Sequence, residues 1–296
     1  MFQFNFKVFQ QRREVFLKKL EGKAAIIPSA QLVKHHADCE YPFRQDSNFW
    51  YLTGFDEPNS VALFLSHRPK GQQFILFVDP KDSISEVWNG FRWGIEGAMS
   101  EFKADISHSI YELNKLLPNY IDDAEEIVFS IGRNPKVESL VLEVWSKQLE
   151  NKSRKGKAPS AIKSPSIYLN DMRLIKSDYE INRMRIAAQI SAEAHELVRQ
   201  LIPSKKNEKQ IQGMIEGLFM DRGARGPAYN TIVASGDNAC VLHYTSNNSE
   251  LKKGDLLLVD AGCSLPDYYN GDITRTFPVG GSFSGEQKII YQIVLE

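Results

Sequence analysis

Short apolar runs alternating with stretches of helical spacing set the pattern of the first half of the chain. Ala24–Pro28, Val61–Leu65 and Phe74–Val78 are compact β-prone runs, whereas residues 110–117 and 137–149 repeat their apolar positions at helical intervals. That alternation predicts an α/β domain. Residues 1–20 mix Phe2, Phe4, Phe6, Phe9 and Phe16 with Arg12, Arg13, Lys18 and Lys19, and Val8, Val15, Phe16 and Leu20 suit one face of an amphipathic helix. A transit peptide fits less well, because the stretch has no uninterrupted apolar core and no small-residue cleavage site. Residues 151–165 change to Lys, Arg, Ser, Gly and Pro. They read as a linker between a domain over 1–165 and a second over 166–296, and the cluster Lys152, Arg154, Lys155 and Lys157 as its solvated charge.

Beyond it the helix signals sharpen. Ser177 followed by Glu180 is a capping-box pattern; Ile181, Met184, Ala188 and Ala192 continue an apolar face toward Leu201, and Pro203 ends it. Asn207 with Gln210 opens a second helix whose Ile211, Met214, Ile215, Leu218 and Phe219 keep helical rhythm, closed by Gly223. The pattern then turns to strands at 231–234, 241–244, Leu256–Asp260 and 268–277. A last helix opens at Ser284 with Gln287 and carries Ile289, Ile290, Ile293 and Val294 to Glu296, with no stop signal.

Composition narrows the class. The 296 residues hold 36 Lys plus Arg against 37 Asp plus Glu, a formal charge of −1, with 42% hydrophobic residues. That suffices for packed cores and gives no basic excess for a phosphate backbone, so no nucleic acid partner is expected. Cys39, Cys240 and Cys263 are odd in number and widely spaced, a poor disulfide framework without paired-cysteine zinc spacing, and the expected compartment is the cytoplasm. The apolar runs fall far short of the roughly 20 residues that cross a bilayer, so no membrane partner is expected.

The chemistry concentrates in residues 256–278. The apolar run from Leu256 to Val259 leads straight into Asp260, and a turn over 264–267 leads to a second strand with Asp272. A hairpin symmetric about Pro266 sets the two aspartates directly opposite each other, with Cβ atoms about 4.5–5.5 Å apart and their charges in repulsion. Three arrangements relieve this: one carboxyl holds a proton, the pair holds one or two divalent cations, or the hairpin slips and both aspartates face water. His243 stands at the end of a short apolar run in Val241-Leu242-His243-Tyr244-Thr245, either as a structural histidine or as one that hydrogen-bonds an oxyanion or passes a proton.

These segments resemble a known family. Tyr229-Asn230-Thr231-Ile232-Val233, Leu242-His243-Tyr244-Thr245, Val259-Asp260-Ala261-Gly262-Cys263 and Gly271-Asp272-Ile273-Thr274-Arg275-Thr276-Phe277-Pro278 resemble the aminopeptidase P (Xaa-Pro aminopeptidase) branch of the pita-bread metallopeptidases. Residues 38–55 resemble that family's N-terminal domain, and 172–177 the entry to its catalytic domain. The resemblance implies an α/β N-terminal domain followed by the first half of an α+β pita-bread catalytic domain. It implies two divalent metal ions, usually Mn2+, with Asp260 chelating one and Asp272 bridging both. It also implies that His243 contacts substrate and helps stabilise the tetrahedral intermediate, and that Trp88 helps close the substrate pocket, often across a subunit boundary of a homo-oligomer. The implied substrates are peptides with proline second, from which the N-terminal residue is released.

The family's other metal ligands, a histidine and two glutamates, come from a later part of the catalytic domain and are not supplied within 1–296. Residues 1–296 alone are therefore expected to be inactive, with the apolar faces of 211–219 and 256–259 exposed. A naturally short, non-catalytic relative acting in binding or assembly remains an alternative, as does another pita-bread activity such as prolidase.

Overall fold

The computed structural model describes residues 6–296, and Phe2 and Phe4 lie outside the described residues. The chain divides into two compact units, one reaching to Ile175 and one running from Lys176 to Glu296. No described helix is long and apolar enough to cross a membrane.

The first unit opens with α1 (Phe6–Leu20) and β1 (Ala24–Pro28), followed by an exposed hairpin of β2 (Lys34–His36) and β3 (Cys39–Glu40). Then come α2 (Ser47–Thr53), β4 (Val61–Leu65), β5 (Phe74–Val78), α3 (Ser83–Asn89), α4 (Gly94–Ser100), β6 (Ile106–Ser109) and α5 (Leu113–Ile121). The unit closes with β7 (Ile127–Val128), α6 (Pro135–Glu150), the single turn α7 (Lys152–Lys155), β8 (Ile162–Lys163) and α8 (Ser166–Leu174). Six strands form one mixed sheet, β6-β5-β4-β1-β7-β8, in which β1, β7 and β8 run parallel. The three apolar runs β1, β4 and β5 are buried at every position, as a sheet covered on both faces requires. Phe16, Phe49 and Phe64 pack on one face; Ile75, Leu117 and Val141 pack on the other. Residues 151–165 are not a solvated linker. They contain the edge strand β8, tied to β7 through Phe129 N–H to Lys163 O at 2.9 Å, and a strand of two residues is too short to leave an apolar run.

Helix α1 buries Phe16 and Leu20 together with Phe9, while Val15 stays exposed. Arg12 and Arg13 take the rest of the buried face because they serve the end of α2. Arg12 Nη1 donates to Tyr51 O at 3.3 Å and Arg13 Nη1 to Leu52 O at 3.1 Å, satisfying carbonyls that have no partner within their own helix. Burial brings the Arg13 pKa down to about 10. Gly54 ends α2 at φ 67, where a Cβ would lie 2.7 Å from the Phe9 ring.

The second unit contains α9 (Asp178–Leu201), α10 (Glu208–Asp221), β9 (Gly226–Pro227), β10 (Ile232–Ser235), β11 (Leu256–Asp260), β12 (Cys263–Ser264), β13 (Thr274–Pro278) and α11 (Gly285–Leu295). An antiparallel sheet β10-β11-β13 packs against α9 and α10, and β12 pairs with β9. Ser177 and Glu180 form the capping box, and Gly223 (φ 80) closes α10 with its N–H on Met220 O at 2.9 Å. The buried face of α9 differs from the apolar reading. Ile181, Met184, Ala188 and Ala192 are exposed, and Arg183, Ala187, Ile190, Ser191, Ala194, His195 and Val198 turn inward. The expected exposure of 211–219 and 256–259 is also overturned, because Ile211, Ile215, Phe219, Leu257 and Val259 are fully buried between helices and sheet. Helix α11 instead presents Ile289, Ile290, Ile293 and Val294 to solvent. Residues 241–244 form a turn after a 3-10 segment (Gly236–Cys240), and the strand expected at 268–277 is confined to β13.

Candidate metal centre

Strand β11 ends at Asp260, and the hairpin beyond it is not the symmetric one. Asp260 lies opposite Thr274, so Asp272 is two residues away from the position that symmetry about Pro266 gives it. An even slip preserves the face on which a strand residue projects. After Asp260 the chain leaves the sheet, and Cys263 and Ser264 pair with Pro227 and Gly226. The crossing depends on glycine: a Cβ on Gly262 would sit 1.8 Å from Gly271 O, and one on Gly271 would sit 2.2 Å from Ser191 Oγ. The turn itself spans 265–268, with Tyr268 N–H on Leu265 O at 2.9 Å and Tyr268 at φ 64.

The two aspartates nevertheless converge. The Tyr229 hydroxyl lies 2.6 Å from Asp260 Oδ1 and 2.9 Å from Asp272 Oδ1. Burial, and then its hydrogen bonds to the two carboxylates, push the Tyr229 pKa far above the usual phenol value, so it remains a donor. Nothing in the spacing of Tyr229, 31 residues before Asp260, signals this contact. Tyr229→Phe is expected to lose about 1–2 kcal/mol of stability at neutral pH without metal, because two facing carboxylates lose their shared donor. Urea unfolding in EDTA checks this.

Helix α9 holds the irregular segment with its polar inward face. Ser191 Oγ accepts from Cys263 N–H at 3.0 Å and donates to Ala187 O at 2.7 Å. His195 Nε2 lies 3.1 Å from Ala261 O, and burial lowers the pKa of this histidine, favouring a neutral ring that donates to the carbonyl. At the tip, Asp267 takes Arg183 Nε and Nη2 at 2.6 and 2.9 Å and the Tyr179 hydroxyl at 3.0 Å.

Paired carboxylates are the oxygen donors that hard divalent cations take. Asp260 and Asp272 offer two such donors, and among the described residues no group of three or more His, Cys, Asp or Glu is placed to hold one ion. His243 lies exposed on the 241–244 turn, and no hydrogen bond among the described residues joins it to either aspartate. Its loop is fastened by Glu208, which accepts from the Tyr244 hydroxyl at 2.8 Å and Ser249 N–H at 2.9 Å. Trp88, in the first unit, is 82% exposed on α3 beside Ile84 and Val87, which are exposed too.

Comparison with known proteins fits this arrangement. Residues 9–129 match the family model described as aminopeptidase P, N-terminal domain, and residues 182–296 match metallopeptidase family M24. An Escherichia coli protein named Xaa-Pro aminopeptidase is 37% identical over 289 residues, 97% of this chain and 65% of that protein. The structure of Pseudomonas aeruginosa aminopeptidase PepP superposes with a TM-score of 0.92 at 36% identity, covering 100% of this chain and 66% of that one. Zn-substituted E. coli aminopeptidase P in complex with product gives a TM-score of 0.91 at 37% identity, covering 99% of this chain and 67% of the other. The chain thus spans less than two thirds of the length of the Escherichia coli protein and 66% of the Pseudomonas aeruginosa one.

Proposed function

The chain belongs to the aminopeptidase P branch of the M24 metallopeptidases, and from that premise we propose that it contributes two metal-holding carboxylates and the N-terminal domain to an Xaa-Pro aminopeptidase. The observation that carries the reading is the convergence of Asp260 and Asp272 on one hydroxyl. In this reading Asp260 and Asp272 hold two divalent ions, with Mn2+ the assignment. Such ions, when bound, activate water and polarise the scissile carbonyl.

The residues of the chain have their own tasks. Tyr229, kept protonated, orients both carboxylates and limits their repulsion. Helix α9 fixes the backbone just beyond Asp260, at Ala261 and Cys263, through His195 and Ser191, because a site held by rigid elements keeps its geometry better than one on free loops. His243, on an exposed turn, meets the substrate and donates to the oxygen that gains charge at the scissile bond. Trp88 and its exposed apolar neighbours close the pocket within a homo-oligomer, and the reducing cytoplasm suits the three free thiols.

The test uses the whole protein that carries this sequence. With Mn2+ it is expected to release the N-terminal residue from Xaa-Pro-Xaa tripeptides, to act poorly on Xaa-Pro dipeptides, and to lose release on Asp260→Ala. A preference for dipeptides would make it a prolidase, and release that survives Asp260→Ala would refute the site. Residues 1–296 alone are expected to show negligible turnover.

A further inference from the structure

Outside the carboxyl ends of β1, β7 and β8 the first unit opens a cleft of about 1060 Å³, lined entirely by its own residues. Ligands of open α/β sheets bind at this end of parallel strands, where the chain turns from strand to helix. Two such turns line the cleft. Helix α6, capped by Asn134, begins after β7, and α8, whose Pro165 cap offers no side-chain acceptor, begins after β8. Both direct the positive ends of their backbone dipoles toward the same wall.

The side chains add to that field. Arg44, Arg133, Lys163 and Arg173 line the cleft, and the one acid among its walls is Asp46. Asp46 Oδ1 is already taken by the N–H groups of Asn48 and Phe49, both at 2.9 Å, as the cap of α2. Three of the cations are held in place by neighbours: Arg173 Nη1 donates to Asn48 Oδ1 at 2.7 Å, Arg44 Nη1 to Gln45 O at 3.1 Å, and Lys163 pairs with Glu126 at 2.9 Å. Arg133 is exposed. Counting Asp46 and the Glu126 partner of Lys163, four cations stand with two carboxylates, and the excess positive charge falls on Arg44, Arg133 and Arg173. Arg44 to Asn48 also belong to the 38–55 segment, which the metal centre does not use.

We infer that this cleft binds a small polyanion of the di- or triphosphate class. Guanidinium groups meet phosphate oxygens in pairs, the helix starts supply further attraction, and the volume suits a ligand up to nucleotide size. The inference rests on the first unit alone and is independent of the proposed peptidase activity.

Isothermal titration of residues 1–296 with inorganic tripolyphosphate, in EDTA to remove divalent ions, tests it. Saturable one-to-one binding is expected, weaker for pyrophosphate and weaker again for orthophosphate. Arg133→Glu and Lys163→Gln should each weaken it at least tenfold, with unchanged circular dichroism, whereas Lys152→Glu, on the exposed basic stretch outside the cleft, should change it less than twofold. Absence of saturable binding would overturn the inference, as would equal weakening by all three variants. Citrate binding as tightly as tripolyphosphate would overturn the phosphate assignment.

Discussion

Replacing Arg183 with alanine is expected to cost the second unit about 3–5 kcal/mol, because it strands the Asp267 carboxylate in a buried site without its counter-charge. The side chains of the pair are 9% and 1% exposed, and the guanidinium meets the carboxylate through two nitrogens. Asp267 lies in the turn joining the segments that carry Asp260 and Asp272, so this ion pair fastens the tip of the metal-centre hairpin to α9. Arg183→Lys is expected to recover little, since an ammonium cannot reproduce the two-pronged contact. The double variant Arg183→Met with Asp267→Asn should recover more than half of the loss, because it removes both charges and leaves the Tyr179 hydroxyl an acceptor. Urea unfolding followed by far-UV circular dichroism reads the effect. Tryptophan fluorescence is the internal control, since all four tryptophans, at 50, 88, 93 and 145, fall in the first unit. A loss below about 1 kcal/mol would mean that water reaches Asp267 and that the pair behaves like a surface one.

What the sequence made legible follows from which forces it records. β1, β4 and β5 were readable because burial on both faces leaves unbroken apolar runs, and the starts of α9 and α11 because a capping box has a fixed spacing. The pairing of Asp260 with Asp272 was readable in kind though not in register. The added offset comes from Gly262 and Gly271, which let two backbones approach so closely that the segment between the strands leaves the ladder. Departure from the ladder frees N–H and C=O groups, and these must find partners. Arg183, Ser191 and His195 supply them or anchor the turn, so the inward face of α9 is partly polar, and a pattern that scores apolar residues picks the wrong side of the helix. Tyr229 escaped for a related reason: its contact is made by tertiary convergence and leaves no periodic trace. His243 was placed on a strand because Val241 and Leu242 are apolar, yet both are exposed. The loop takes its shape from a polar anchor, Glu208, rather than from burying those side chains.

That anchor carries the second large effect. Glu208 is fully buried, and its carboxylate gathers Ser235 N–H at 2.8 Å, the Ser235 hydroxyl at 2.7 Å, the Tyr244 hydroxyl at 2.8 Å and Ser249 N–H at 2.9 Å. Burial by itself raises its pKa, but these donors together outweigh it and leave the group below the ordinary value of 4.5. Glu208→Gln turns one acceptor oxygen into an NH2 that faces donors, and about 3 kcal/mol of stability is expected to go with it at neutral pH. The sign of the pH dependence follows from the lowered pKa. The contribution is fully present above the unfolded-state pKa and is lost as pH falls through the folded one, so the gap between wild type and Glu208→Gln should narrow below about pH 4.5. Urea titrations at pH 7 and at pH 3.5 measure both gaps; equal gaps would show that folding does not lower the Glu208 pKa, and a wider gap at pH 3.5 that the group is protonated in the fold. The same substitution should free residues 236–250, raising amide hydrogen exchange at Tyr244 and Ser249 more than in α10. If the loop of His243 instead exchanges as slowly as before, its position is held by something other than this carboxylate.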